Sequence, residues 1–164
     1  AGEAFVERYG AEAAAHTPPL RRLLESGVPL GAGTDGTRVS SYDPWRSLHW
    51  MVSGRTVGGL ELYAPENRLS RLEALELYTK GSAWVSGEEH LKGALTPGRY
   101  ADLAVLTADY FTVPEDEIPG IESLLTVVGG RIVHAAGPWA ALAPELPPVQ
   151  PAWSPVAHYG GVVR

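Results

Sequence analysis

The sequence predicts an α/β fold, and three stretches carry this prediction. Residues 20–26 have one apolar helical face and lead directly into a short, fully apolar run at residues 28–36. Residues 71–84 are predicted to form another helix. From residue 87 onward the apolar runs are short and no amphipathic helix separates them, which indicates a separate sheet or sandwich.

Residues 28–36 read VPLGAGTDG and predict a buried parallel strand that ends at Asp35. In barrels and open α/β sheets, functional groups lie just past the carboxyl ends of the strands, so Asp35 is a candidate catalytic residue. The alternative is that Asp35 caps the following segment or closes a turn, as Asp before Gly often does. The local pattern leaves both interpretations open.

Two of the predicted helices carry start and stop signals. Thr17, followed by two prolines, is a candidate cap for the helix that Gly27 ends. Asp43 and the proline after it begin a helix that should end near Gly54.

A capping box begins the third helix. Ser70 stands three residues before Glu73, and the helix behind it should run to about residue 84. Because this helix is apolar on nearly all sides, we expect it to be mostly buried.

The remaining elements are β structure and a proline-rich segment. Pro97 and Gly98 suit a type II turn before a strand at residues 101–106, and Gly129 with Gly130 predicts a hairpin between residues 124–128 and 131–134. Residues 137–164 should form an irregular strap that buries two tryptophans, Trp139 and Trp153.

Composition limits the class of protein. The chain has 164 residues, no cysteine and a formal charge of −6 without a Lys/Arg cluster. Nucleic acid and anionic membranes are therefore poor candidates for partners, and thiolate metal sites are excluded. No apolar run approaches a membrane span and no signal-peptide pattern is visible, so we expect a cytoplasmic protein.

Three motifs, in this order, show a resemblance to a known family. They are GTD at residues 33–35, GALTPGRYADLAVL at residues 93–106 and VVGGRIV at residues 127–133. Together they resemble the C-terminal portion of the metal-dependent amidohydrolase superfamily, and more narrowly its family 3 branch. The resemblance covers about residues 15–135.

The resemblance implies a (β/α)8 barrel with divalent metal at its mouth, zinc being the expected ion, that hydrolyses amide-type C–N bonds of a small-molecule substrate. Asp35 matches the family position that serves as metal ligand and general base. Arg38, three residues later, is a candidate substrate-binding residue, and the alternative is a solvated loop arginine. Residues 1–86 would be the end of the barrel, 87–136 strands of the small β-sandwich, and 137–164 the strap.

The chain also departs from the family. It has no H-x-H pair, and its five histidines show no ligand-like spacing. A barrel takes about 250 residues, so we expect a C-terminal fragment that is inactive alone and prone to form a homo-oligomer through exposed apolar faces. Two alternatives stay open for its metal: the fragment binds one, or it binds none. The alternative function is a non-catalytic module that associates with itself or docks on a partner.

Other residues are interpreted structurally. We expect His49 to be a packed, hydrogen-bonded histidine and not a ligand. Asp102 should bond nearby backbone, because it begins a strand far from the barrel mouth. Trp45, Trp50 and Trp84 are assigned to core packing, with a substrate cleft as the alternative.

Overall fold

The computed structural model describes residues 2–36 and 41–145. These residues combine several short helices with one small sheet, which agrees with a mixed α/β fragment. The elements are α1 (Gly2–Tyr9), α2 (Ala11–Ala15), α3 (Leu20–Glu25), α4 (Pro44–Ser53), α5 (Arg71–Glu76), α6 (Ser82–Val85), β1 (Leu103–Leu106), β2 (Ser123–Val128) and β3 (Arg131–Ala135), with 3-10 helices at Pro65–Asn67, Glu115–Gly120 and Gly137–Leu142.

The predicted caps of α4 and α5 are confirmed. Asp43 accepts a hydrogen bond from the backbone N–H of Trp45 at 2.9 Å, and α4 ends at Gly54 with φ +71°. At the start of α5 the Ser70 hydroxyl accepts from the Glu73 N–H, while Glu73 Oε2 accepts from the Ser70 N–H at 2.7 Å. Two donors that a helix start leaves unpaired are thereby satisfied.

The predicted cap of α3 is wrong. The helix starts at Leu20 without a side-chain cap, and the Thr17 hydroxyl donates instead to the Ala13 carbonyl in α2 at 2.6 Å. Thr17 stands too far before the first turn to reach its free N–H groups. The predicted end is confirmed, since Gly27 follows the helix with φ +72°.

The third helix runs without a break from Arg71 to Val85, because a π-helical segment, Leu77–Gly81, joins α5 to α6. The expectation that it is mostly buried is wrong for one part of its surface. Leu72, Trp84 and Val85 are 55%, 49% and 65% exposed. Core packing therefore does not account for Trp84.

Residues 28–35 do not form the predicted buried parallel strand. Their backbone is extended but pairs with no strand among the described residues. The Ala32 N–H donates to the Leu77 carbonyl at 3.0 Å, and the Ala32 carbonyl accepts from the Ser82 hydroxyl at 2.7 Å. A parallel strand needs neighbouring strands, and here the helix run from Arg71 takes their place on one side.

The three strands form one antiparallel sheet in the order β1–β2–β3, as the lack of intervening helices predicts. Gly129 and Gly130 have φ of +56° and +76° at the turn between β2 and β3, which confirms the hairpin. The backbone N–H of Gly129 donates to Asp102 Oδ1 at 2.6 Å, so Asp102 is the backbone-bonding carboxylate that we expected. A second sheet, and hence a sandwich, stays a prediction.

The buried core lies between the helices and the connection from β1 to β2. Its members are Leu48, Met51, Leu69, Ala74, Leu77, Tyr110, Ile118 and Ile121. Trp45 packs beside it with its ring centroid 5.7 Å from that of Tyr110. Trp139 is 41% exposed, against the expected burial, and Trp153 lies outside the described residues with most of the predicted strap.

Candidate functional site

A cavity of about 580 Å³ lies beside Asp35. Its lining comes from the extended segment before α4, from one side of α4, and from the residues that follow α4. Apolar walls are supplied by Trp50, Met51 and Leu62. Trp50 also packs on Tyr63, with ring centroids 4.8 Å apart, so the packing interpretation holds for it while it lines the cavity; a substrate cleft stays a prediction. A volume of this size is typical of small-molecule sites.

Asp35 presents an exposed carboxylate to this cavity. Its φ of +47° is in the left-handed region, which Asp tolerates better than most residues but which still costs free energy. The Thr34 hydroxyl accepts from the Gly36 N–H at 3.2 Å and supports this turn. Among residues 2–36 and 41–145, no cation lies within 4.0 Å of the Asp35 carboxylate.

One side of α4 faces the cavity. Arg46, His49 and Trp50 are spaced i, i+3 and i+4, which places them on the same helical surface. Burial lowers the pKa of His49; Glu115 opposes this shift and Arg55 adds to it. The His49 ring is half-buried and forms no hydrogen bond within the part of the chain that the structure describes, so the expected hydrogen bond is not found.

Two further side chains complete the lining. Arg55 follows Gly54 at the end of α4 and is exposed at the cavity. Tyr78 comes from the π-helical segment, and burial raises the pKa of its hydroxyl, an effect that Ser47 partly offsets. Such π segments occur frequently at functional sites. Arg55 and Tyr78 were not predicted from the sequence, where only the i, i+3 spacing of Arg46 and His49 indicates part of this surface.

The donors in the described residues do not fit a complete metal site. No group of three His, Cys, Asp or Glu among them could hold an ion together. Within that part of the chain Asp35 is the cavity's one carboxylate and His49 its one imidazole, whereas a zinc site takes at least three protein ligands. Arg38 lies in residues 37–40, outside the described residues. The roles of Asp35 and Arg38 therefore stay predictions.

In the described residues no helix combines the length and the apolar character needed to cross a bilayer.

Comparison with known proteins gives a family and several relatives. The amidohydrolase family matches residues 1–134. The chain is 32% identical over 124 residues to an imidazolonepropionase of Geobacillus thermodenitrificans, covering 71% of this chain and 25% of the relative. It is 30% identical over 112 residues to an N-substituted formamide deformylase of Arthrobacter pascens, and this match covers 68% of this chain and 20% of the relative.

A third relative is a 5-methylthioadenosine/S-adenosylhomocysteine deaminase of Symbiobacterium thermophilum, which is 28% identical over 129 residues, covering 71% of this chain and 28% of the relative. The chain thus spans about a quarter of the length of the curated relatives it matches. No solved structure matches the chain.

Proposed function

This chain belongs to the amidohydrolase family, and on that premise we propose that it is the C-terminal part of a hydrolase that cleaves C–N bonds in small molecules. Relatives named as a deformylase and a deaminase support this reaction class. The observation that carries the proposal is the exposed carboxylate of Asp35, which has no cationic partner among residues 2–36 and 41–145 and lies beside a cavity with apolar walls.

The role proposed for Asp35 is to accept the proton of the attacking water. A carboxylate at a cavity can do this when it is held within hydrogen-bond reach of the water. Because of its family, we also propose that the hydrolase depends on a divalent metal. Zinc is the expected ion, and Asp35 would be one of its ligands. The other ligands would have to come from outside the residues described here, so this chain alone should be inactive.

The test uses the longest natural polypeptide that carries this sequence. Hydrolysis of a panel of N-formyl and N-acyl amines should fall by a factor of about 10² to 10⁴ in Asp35→Asn, as expected for loss of a general base. Glu89→Gln, at an exposed carboxylate outside the cavity, serves as control and should keep its activity. Full activity of Asp35→Asn would contradict the proposed role.

A second measurement concerns the 164-residue chain itself. After dialysis against metal-free buffer, elemental analysis should find no stoichiometric transition metal. Bound metal that disappears in Asp35→Ala would mean that the chain builds a site unaided, and the fragment interpretation would then be wrong.

The second candidate is a non-catalytic module that associates with itself. It is favoured by the exposed apolar side chains of Leu72, Trp84 and Val85. It is also favoured by residues 28–35, which pair with no strand in the part of the chain that the structure describes. Light scattering should then show a homo-oligomer, and Trp84→Glu should shift it toward monomer. A compact monomeric wild-type chain would exclude this candidate.

A further inference from the structure

We propose that the cavity beside Asp35 binds the carboxylate of a small apolar anion, with the Arg55 guanidinium as its principal partner. This inference extends the proposed function, on which it rests for the reaction, by naming the charge and character of the substrate.

Arg55 has no acidic side-chain partner among the described residues. No carboxylate there lies within 4.0 Å of its guanidinium. The remaining residues, 1, 37–40 and 146–164, include neither Asp nor Glu. Other arginines differ: Arg21 pairs with Glu73 at 2.6 Å, and Arg68 pairs with Glu61. Arg55 is therefore a cation at a cavity without a side-chain carboxylate to neutralise it.

A second arginine lines the same cavity. Arg46 contacts Asp43 at 3.8 Å, and both side chains are partly exposed. A long, solvated ion pair of this kind contributes little free energy, so Arg46 can turn toward a ligand at small cost. With Asp35 as the one carboxylate of the described lining, the cavity walls carry a positive excess in a chain whose formal charge is −6.

The acids around Arg55 are engaged elsewhere. Glu61 lies opposite Arg55 in an antiparallel backbone bridge, and its carboxylate pairs with Arg68. Glu3 accepts a hydrogen bond from the Thr56 hydroxyl at 3.0 Å, and Glu115 and Asp116 act on His49. None of these four acids is at ion-pair distance from Arg55 in the described residues, so its guanidinium is available to an anion in the cavity that it lines.

The apolar walls define the rest of the ligand. Trp50, Met51 and Leu62 supply flat and aliphatic surface in the cavity that Arg55 lines. A guanidinium binds a carboxylate through two parallel hydrogen bonds, which a hydrated lysine ammonium cannot reproduce. The expected ligand is therefore a carboxylate attached to an aromatic or alkyl body.

The test compares 3-phenylpropionate with 3-phenylpropionamide, which has nearly the same shape without the charge. Affinities for the 164-residue chain are measured by ligand-observed NMR and calorimetry. The carboxylate should bind about tenfold more tightly than the amide, as expected for hydrogen bonds to a charged group. Arg55→Gln should remove this preference, and Arg55→Lys should retain only part of it.

Arg22→Gln is the matched control, because Arg22 is exposed on α3 and forms no ion pair within the described part of the chain. Circular dichroism checks that each variant is folded. Equal affinity for the two probes, no binding of the carboxylate, or an unchanged preference in folded Arg55→Gln would each overturn the inference.

The inference and the proposed function fail in different ways. Loss of carboxylate preference alone leaves hydrolysis by the longer polypeptide, and its dependence on Asp35, untouched. Conversely, Asp35→Asn should still bind 3-phenylpropionate, since Asp35 is not its partner. A chain that binds the probe but belongs to an inactive polypeptide would refute the proposed function and leave the anion site in place.

Discussion

Gly81 lets the helix run from Arg71 lie directly on the backbone of Leu30. A Cβ at position 81 would overlap the Leu30 carbonyl oxygen and lie 3.1 Å from the Gly31 Cα. The contact is reciprocal, because a Cβ at Gly31 would lie 2.8 Å from a methyl group of Val85. These two glycines therefore hold the segment that leads to Asp35 against the helix.

Gly81→Ala should destabilise the protein although alanine is the better helix former. The new methyl group meets backbone, which cannot yield as a flexible side chain can, and overpacking of this kind costs about 1–3 kcal/mol. Chemical denaturation measures the loss. Gly120→Ala is the control, since a Cβ there meets nothing within 4 Å. Equal stability of the two variants would show that residues 28–36 do not pack on the helix as described.

Glu73 should make stability depend on pH in acid. Its hydrogen bond with Arg21, helped by Ser70 and opposed by burial, lowers the pKa of Glu73 from 4.5 to about 2. A lowered pKa in the folded state means that the carboxylate stabilises the protein above pH 4.5 and that this stabilisation is lost as the pH falls toward 2.

Glu73→Gln should therefore lower the free energy of unfolding at pH 7 by about 1 kcal/mol, a modest value because the pair with Arg21 is partly exposed. The variant should also lose less stability than the wild type between pH 4.5 and 2. Glu76→Gln in the same helix removes only an exposed pair with Lys80 and should change little. Parallel acid titrations of Glu73→Gln and wild type would contradict this assignment.

Arg71 should be needed to hold the connection between β1 and β2 on the helix. Its guanidinium donates to the Tyr110 carbonyl and, at 2.6 Å, to the Val113 carbonyl, and the Tyr110 hydroxyl donates to the Arg71 carbonyl at 3.1 Å. Arg71→Ala leaves two carbonyls unpaired and should cost about 1–3 kcal/mol in the free energy of unfolding.

Arg71→Lys separates charge from geometry, since lysine cannot place two donors in a fixed fork. In thermal denaturation, Arg71→Lys should recover only part of the stability that Arg71→Ala loses. Full recovery would mean that the charge alone matters.

Asp102 should stabilise the hairpin without affecting any chemistry at Asp35. Its carboxylate accepts from the Gly129 N–H in the turn. Asp102→Ala should reduce stability by about 1 kcal/mol, because one backbone donor loses its partner. Hydrogen exchange at Gly129 should accelerate in this variant but not in Glu89→Ala, an exposed carboxylate outside the sheet. Unchanged exchange at Gly129 would contradict the hydrogen bond.

Elements whose signals lie within a few residues could be predicted from the sequence. The cap at Asp43, the capping box of Ser70 with Glu73, and the hairpin at Gly129 depend on side chains and backbone groups that are neighbours in the chain. The amidohydrolase resemblance likewise comes from short motifs, and the family match over residues 1–134 supports it.

The tertiary structure decided what depends on distant neighbours. The apolar character of the helix behind Ser70 predicted burial, yet burial requires other elements around it, and Trp84 remains 49% exposed in the described part of the chain. The apolar run before Asp35 predicted a strand, but strand pairing requires a partner strand.

The same distinction applies to the residues of the candidate site. Asp35 could be proposed from the end of its own apolar segment. Arg55 and Tyr78 could not, because only folding brings the end of α4 and the π-helical segment to one cavity with Asp35. The sequence by itself determined the caps of α4 and α5, the hairpin turn and the family. The packing of distant segments decided which charges share a cavity and which apolar surfaces stay exposed.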